Sequence, residues 1–284
     1  MIIFAIALKS KGVSNNWDNV VKDFNNTLES IFAQTNPDFM VYVGCNEIPK
    51  LFKKYDERLK FFKVNNPVPS SWLEAARDKF WKYLFVAYQI KKYLLQTDNP
   101  QKGVYVMPID ADDLFSCHIA EYVNSHLDSN GFVSDFGYVY YKGKYYVEKY
   151  PDMHTLCGSC NIIKMYLDDL PDKMPDQSLC FDKSTAGILN ERYPIRWNHN
   201  EIVDKYKKMD KSFDILPFPS TIYCLNNGEN ISRWNNNKNN SHPNSIVRMK
   251  FKIRKVLSDI KHYSERKKNR IKINDKIRNE FSFK

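Results

Sequence analysis

Between residues 2 and 109, short apolar runs alternate with longer stretches whose apolar residues recur at helical spacing. The strand candidates are residues 2–8, 39–44, 59–64 and 104–109, and the helix candidates are residues 18–34 and 71–95. This order predicts an α/β fold in which helices flank a mostly parallel sheet. Such sheets bind their ligands at the carboxyl ends of the strands.

The second half of the chain has a different pattern. Residues 132–148 contain two aromatic segments on either side of Lys142-Gly143, which predicts a hairpin. Residues 215–225 predict a further strand, and residues 226–244 are rich in Asn and predict an irregular stretch. We therefore predict a folded body of residues 1–245 that consists of two halves, residues 1–115 and residues 116–245.

The excess positive charge is concentrated at the end of the chain. Residues 246–284 contain 14 Lys and Arg against 4 Asp and Glu, whereas residues 1–245 contain 29 of each kind. Apolar residues recur at near-helical spacing among these basic residues, so we predict a basic amphipathic helical tail over residues 246–284. Such a helix can lie on an anionic membrane surface, or it can pack on the body of the protein.

Two further features bear on the compartment. No run approaches the roughly 20 apolar residues that a membrane-spanning helix needs. The six Cys residues have no spacing typical of a disulfide framework. We therefore expect a cytoplasmic protein, which the tail could bring to the inner face of the cell membrane.

Three carboxylates, Asp110, Asp112 and Asp113, follow the apolar run of residues 104–109. Like charges at this spacing are costly unless a cation or hydrogen-bond donors neutralise them. Mg²⁺ and Mn²⁺ prefer oxygen ligands and often share one or two carboxylates with substrate phosphates. The cluster therefore predicts a site for a metal-bound diphosphate. The alternative is that Asp112 or Asp113 caps a helix that begins near Leu114.

The segment VYVMPIDADDLFS, about 100 residues after IIFAIALKSKG, resembles the Asp-x-Asp motif of GT-A fold glycosyltransferases, most closely the bacterial family 2-like enzymes. The resemblance extends over about residues 1–230. It implies a catalytic domain over residues 1–245, with a nucleotide-sugar-binding half (1–115) and an acceptor-side half (116–245). It also implies transfer of a sugar, with UDP as the expected nucleotide, to a hydroxyl of a bacterial surface glycan or lipid-linked acceptor.

The resemblance assigns roles to residues at matching positions. The implied metal ligands for Mn²⁺ or Mg²⁺ are Asp112 and Asp113. The implied donor-binding residues are Ala7, Leu8, Lys9, Asn46, Asp78, Lys79, Lys82, Asp110 and Ala111. The family often has an Asp after its second strand, and this chain has Cys45-Asn46-Glu47 there instead. The alternative for residues 78–82 is a solvated helical face.

Gly158 and Ser159 match a turn that lines the acceptor side of the site in similar transferases. The flanking Cys157 and Cys160 have the spacing of half a zinc site, but no second pair follows, so we expect packed thiols.

An inverting transferase needs a base, which the family supplies about 70 to 90 residues after the acidic motif. We predict Asp182 as this base, with His199 as second choice and Asp176 as a third. A His suits proton transfer near neutral pH. The alternative for Asp182 is that it caps a helix over residues 183–190.

Two other classes of function fit less well. Haloacid dehalogenase-like phosphatases also place Asp-x-Asp after a strand, but near the amino terminus and with a different residue pattern after the second Asp. A basic nucleic-acid-binding protein is disfavoured by the neutral body and the absence of a nucleic-acid motif. We therefore expect no nucleic-acid partner.

Overall fold

The computed structural model describes residues 1–225, 228–229 and 267–284. The strands are β1 (Ile2–Ala7), β2 (Phe39–Cys45), β3 (Leu59–Lys63), β4 (Val104–Ile109), β5 (Leu114–Phe115), β6 (Gly131–Val133), β7 (Phe136–Tyr141), β8 (Tyr146–Pro151), β9 (Asn161–Met165), β10 (Asp214–Ile215), β11 (Thr221–Leu225) and β12 (Arg270–Lys272). The helices are α1 (Trp17–Phe32), α2 (Trp72–Leu94), α3 (Ile119–Ser125), α4 (Met153–Leu156), α5 (Lys183–Arg192), α6 (Ile202–Lys207) and α7 (Asp275–Phe281).

The central sheet has seven strands in the order β10-β6-β9-β4-β1-β2-β3. Its middle is parallel, because β1 pairs in parallel with both β2 and β4, and β2 pairs in parallel with β3. On the other side, β9 runs antiparallel to both β4 and β6. Helices pack on both faces of this sheet, so the predicted mixed α/β fold class is confirmed.

The burial of strand β1 on both faces explains why its sequence is apolar without interruption. Ile2, Phe4 and Ile6 pack with α1 and α3 on one face of the sheet. Ile3 and Ala5 pack with α2 on the other face. All five side chains are fully buried. A strand that is covered on both faces has no polar side to alternate with its apolar one.

The two long helices begin at side-chain caps. Asn16 accepts a hydrogen bond from the backbone N–H of Asn19 at the start of α1, and Ser71 accepts one from Glu74 at the start of α2. These bonds satisfy backbone donors that a helix otherwise leaves without partners. Helix α2 connects β3 to β4, so its amino-terminal half lies at the edge of the sheet where the parallel strands end.

A second sheet of five strands has the order β12-β8-β7-β11-β5. It contains the predicted hairpin, β7 and β8, whose connection includes Gly143 at φ +88°. The helix considered near Leu114 does not begin there. Leu114 and Phe115 instead form β5, which pairs antiparallel with β11, and α3 begins at Ile119.

The end of the chain corrects the predicted tail. Residues 246–266 of that tail lie outside the described residues. Arg270–Lys272 forms strand β12 on the edge of the second sheet, and α7 buries Ile277 and Phe281 against that sheet. The last residues therefore belong to the folded body rather than to one continuous amphipathic helix, because their apolar side chains complete its core.

In the described part of the chain, no helix combines the length and the apolar character that crossing a membrane would require.

Candidate functional site

A cavity of about 230 Å³ lies where β1 and β4 end. Because these strands are parallel neighbours, with Ile6 opposite Ile109, the residues that follow them meet at one edge of the sheet. Residues of α1, the amino-terminal half of α2 and a residue of β11 also line it. The cavity, called the cleft below, is lined by Ala7, Leu8, Lys9, Val13, Val20, Asp23, Ala75, Asp78, Lys79, Lys82, Asp110, Ala111, Asp112, Tyr223 and Glu229.

The cleft brings together almost all of the predicted donor-binding residues. Of the nine, only Asn46 does not line it. The Asn46 side-chain amide instead donates to the Asn66 carbonyl at 3.3 Å.

Among the residues that the structure describes, three Lys and five carboxylates line the cleft, so this part of its lining carries net negative charge. Lys79 donates to Asp110 Oδ1 in an ion pair whose side chains are about three-tenths exposed. Burial lowers the pKa of Lys79, but the charge and hydrogen bond of Asp110, together with Tyr83 and Asp112, raise it by more, so the net shift is upward. Lys79 therefore remains a cation beside the acidic motif.

Lys82 has a structural role at the floor of the cleft. Its side chain is fully buried, and Nζ donates to Asp78 Oδ2 at 2.6 Å and to the Leu8 carbonyl at 2.9 Å. Asp78 Oδ1 accepts from Asn66 Nδ2 at 2.8 Å. The ammonium group thus holds the end of β1 against α2. Its hydrogen bonds are made to the protein itself, as expected of a structural ion pair.

Asp113 is not available as the predicted second metal ligand. Its side chain is fully buried, and its two oxygens accept from Ser159 Oγ at 2.7 Å and from the Cys224 backbone N–H at 3.0 Å. Burial, the Cys157 thiol and the other two Asp residues raise the pKa of Asp113 well above its ordinary value. Its role is to join the start of β5 to β11 and to the turn before β9.

Ser159 is also buried rather than exposed to an acceptor. Besides donating to Asp113, its hydroxyl accepts from the backbone N–H of Asp110 at 2.8 Å. Ser159 therefore orients the first residue of the acidic motif. Cys157 and Cys160 on either side are buried free thiols, as expected.

Glu229 is a cleft residue that the sequence did not indicate. Its carboxylate accepts from Lys9 Nζ at 2.6 Å and from the backbone N–H groups of Asn15 and Asn16 at 3.1 and 2.7 Å. No motif surrounds Glu229 in the sequence, and it comes more than 200 residues after its partners. Asp23 and Tyr223 also line the cleft, and the sequence did not indicate them either, because no motif surrounds either residue.

His199 lies next to the acidic motif. A Cβ atom built on Gly158 would be 3.8 Å from His199 Cδ2 and 3.9 Å from Asp110 Oδ2, so both side chains lie close to Gly158. His199 Nδ1 is 2.9 Å from the His154 carbonyl oxygen. Because a carbonyl only accepts, Nδ1 carries the proton in this hydrogen bond, which leaves Nε2 of the neutral ring as a proton acceptor.

Asp182 lies at the amino terminus of α5, where its carboxylate accepts from the Thr185 backbone N–H at 2.7 Å. This bond and further ones from Ser184 and Thr185 lower its pKa to about 2. Asp182 is therefore a helix cap, which was the alternative that the sequence offered. Asp176 caps a short helical turn in the same way. Neither carboxylate lines the cleft.

The carboxylates suit a cation that is shared with a ligand. In the regions described here, no three His, Cys, Asp or Glu side chains converge on a complete metal site. Asp110 and Asp112 fit an ion such as Mg²⁺ or Mn²⁺, which takes one or two protein carboxylates and completes its coordination with phosphate oxygens and water.

Comparisons with known proteins find similar folds only, with low sequence identity and low TM-scores. Neither a scan against protein-family models nor a search of curated proteins finds a match. Among solved structures, the chain is similar to 2-C-methyl-D-erythritol 4-phosphate cytidylyltransferase of Francisella tularensis (10% identity, 81% of this chain and 92% of that chain, TM-score 0.35). It is also similar to mouse xyloside xylosyltransferase 1 in its apo form (10% identity, 76% and 85%, TM-score 0.36). A third is 4-diphosphocytidyl-2C-methyl-D-erythritol synthase of Anaerococcus prevotii (11% identity, 84% and 95%, TM-score 0.34).

Proposed function

We propose that the protein is a metal-dependent glycosyltransferase of the GT-A type that uses a nucleotide diphosphate-sugar, with UDP as the expected nucleotide. The observation that carries the proposal is the meeting of Asp110 and Asp112 with the end of β1 in one cleft. The described lining of the cleft is net negative, and such a lining repels a diphosphate unless a divalent cation accompanies it. A metal-bound diphosphate therefore suits the charge of this cleft better than a free one.

Asp112 and Asp110 would hold the ion, which supplies positive charge to the departing diphosphate when bound. Lys79 adds a permanent cation at the same place. Preorganised positive charge of this kind stabilises negative charge that develops in the transition state.

His199 is the residue of this chain that we assign to the acceptor. In a single displacement, Nε2 takes the proton of the acceptor hydroxyl while its oxygen forms a bond to the anomeric carbon. The bond from that carbon to the diphosphate oxygen breaks, and the diphosphate leaves with the electron pair. The hydrogen bond to the His154 carbonyl fixes the ring tautomer that this step needs.

The test of the proposal is calorimetric titration of UDP in the presence and absence of Mn²⁺. We expect binding that requires Mn²⁺, and we expect Asp112→Asn to abolish it while the melting temperature stays near that of the wild type. Asp128→Asn makes the same change at an exposed position outside the cleft and serves as the control. Equal affinity for UDP in wild type and Asp112→Asn would contradict the metal assignment.

We also propose that the basic residues between positions 246 and 266 bring the enzyme to an anionic membrane surface carrying a lipid-linked acceptor. Each Lys or Arg near such a surface contributes about 1 kcal/mol. Replacing Arg248, Lys250, Lys252, Arg254 and Lys255 together by Gln should abolish sedimentation with vesicles that contain phosphatidylglycerol. The substitutions leave β12 and α7 intact, so UDP binding should persist. Unchanged sedimentation would contradict this part of the proposal.

A further inference from the structure

Large apolar side chains are exposed at unusual density between residues 48 and 73. Five of the twelve such side chains in the described part of the chain lie there, each between 37% and 61% exposed: Ile48, Phe52, Val68, Trp72 and Leu73. Single exposed apolar side chains are normal, whereas a group of them marks an interaction surface. We propose that these five side chains, called the rim below, dock the protein on an anionic lipid bilayer.

The loops that carry the rim contact one another at the edge of the central sheet where β1, β2 and β3 end. The Lys11 backbone N–H donates to Glu47 Oε2 at 3.1 Å, which joins the loop after β1 to the loop after β2. A Cβ atom built on Gly12 would be 3.2 Å from both Cγ atoms of Val68, so the segment before α2 packs on the same loop after β1. The rim is therefore one surface built from three connections.

The backbone beneath the rim is held in place. The Phe52 backbone N–H donates at 2.8 Å to Oδ1 of Asn25, a buried residue of α1. Trp72 and Leu73 form the first turn of α2, which Ser71 caps. Side chains on an ordered backbone lose less conformational freedom on binding than side chains on a loop that must first become ordered. The rim is therefore preorganised for contact with a surface.

Exposed lysines accompany the rim. Residues 46–74 contain six Lys and Arg against four Asp and Glu, and Lys50, Lys53 and Lys54 are all exposed in the loop that carries Ile48 and Phe52. Lysines beside apolar side chains suit a bilayer, because ammonium groups meet lipid phosphates while apolar side chains enter the acyl boundary.

The same charge disfavours a second copy of the chain as the partner. A symmetric contact between two copies brings the same patch of each together, so the lysines of one copy would face those of the other. Like charges placed opposite each other weaken an interface. An anionic bilayer has the complementary charge.

The rim borders the cleft. Val13, the residue after Gly12, lines the cleft, and so does Ala75, which follows Trp72 by three positions on α2. A protein docked through the rim therefore holds the cleft beside the lipid headgroups. This contact is separate from the one proposed for residues 246–266, and it does not depend on the reaction that takes place in the cleft.

The experiment is sedimentation of the full-length protein with vesicles of phosphatidylglycerol and phosphatidylcholine, measured against lipid concentration. The double variant Val68→Ser with Leu73→Ser should bind roughly 10- to 100-fold more weakly, because two half-exposed apolar side chains no longer leave water. The wild type should not bind vesicles of phosphatidylcholine alone.

The control is the double variant Leu95→Ser with Leu127→Ser, whose side chains are 59% and 37% exposed. Leu95 follows the last residue of α2, at the far end of the helix that Leu73 begins. Leu127 lies near Leu94 and the start of β4 around another cavity, at the opposite edge of the sheet. This variant should bind vesicles as the wild type does.

Equal vesicle binding by wild type and the rim variant, or equal losses in the rim and control variants, would overturn the inference. A rim variant that loses self-association in sedimentation-velocity runs but keeps vesicle binding would also overturn it, since the rim would then serve a second copy. If the double rim variant does not fold, Leu73→Ser alone tests the same surface at an exposed helix position, with an expected loss of roughly three- to ten-fold.

The outcomes separate this inference from the proposed function. Neither Val68 nor Leu73 lines the cleft, so Mn²⁺-dependent UDP binding should be the same in the rim variant and the wild type. Vesicle binding that is lost in the rim variant and kept in the control supports the inference even if UDP does not bind. Vesicle binding that is kept in the rim variant contradicts the inference even if UDP does bind.

Discussion

Replacing His199 by Gln should lower the rate of sugar transfer about 10²- to 10⁴-fold, the usual contribution of a positioned general base. The hydrogen bond from Nδ1–H to the His154 carbonyl leaves Nε2 as the proton acceptor, and a Cβ atom built on Gly158 would contact both the ring and the Asp110 carboxylate. Gln retains polarity and approximate size but cannot take up a proton at neutral pH. The measurement is the transfer rate at saturating donor, combined with the calorimetric affinity for UDP and Mn²⁺. The affinity should remain near the wild-type value.

Asp182→Asn is the competing arm of the same experiment. The sequence favoured Asp182 as the base, whereas the structure has its carboxylate capping α5. Asn is also an effective helix cap, so this variant should fold and should transfer sugar at close to the wild-type rate. A large loss of rate in Asp182→Asn together with little loss in His199→Gln would reverse the assignment.

Removing the carboxylate of Asp78 should destabilise the protein by about 3–5 kcal/mol, the range found when one partner of a buried ion pair is lost. Lys82 is fully buried and its ammonium group has Asp78 Oδ2 at 2.6 Å. In Asp78→Asn the ammonium stays buried beside a neutral amide, and its desolvation is no longer compensated. The measurement is the free energy of unfolding from urea titrations followed by circular dichroism.

The chain offers a matched control for this prediction. Glu201 and Lys205 form an ion pair at the same i, i+4 spacing, but at 3.6 Å and with both side chains at least one-third exposed. Exposed pairs contribute about 0.2–1 kcal/mol, so Glu201→Gln should have a small effect. The double variant Asp78→Leu with Lys82→Met removes both charges and should be more stable than Asp78→Asn. Equal losses in Asp78→Asn and Glu201→Gln would contradict a structural role for the buried pair.

The parallel half of the central sheet, β1 to β4, and the position of the acidic motif could be predicted from the sequence. Strands β1, β2 and β4 are apolar because they are buried, and Val104–Ile109 forms β4 with the bounds that its apolar run indicated. Ser71, the first residue of the helix predicted over residues 71–95, caps α2. Since parallel strands end at one edge, the order of elements was enough to bring the residues after β1 and β4 together.

The roles within that edge were decided by contacts between distant parts of the chain. Asp110 and Asp113 are three residues apart, yet one is partly exposed in the cleft and the other is sealed beneath β11. Glu229 reaches Lys9 across 220 positions of sequence, and β5 has only two residues and pairs with β11. Local patterns report which face of an element is apolar, because burial has the period of the helix or the strand. Whether a carboxylate contacts a helix N–H, a buried Ser or a cleft depends on partners that no local pattern records. Only the tertiary structure therefore shows that Asp182 caps a helix and that Asp113 links buried elements. The same structure shows that Asp110 and Asp112 line the cleft.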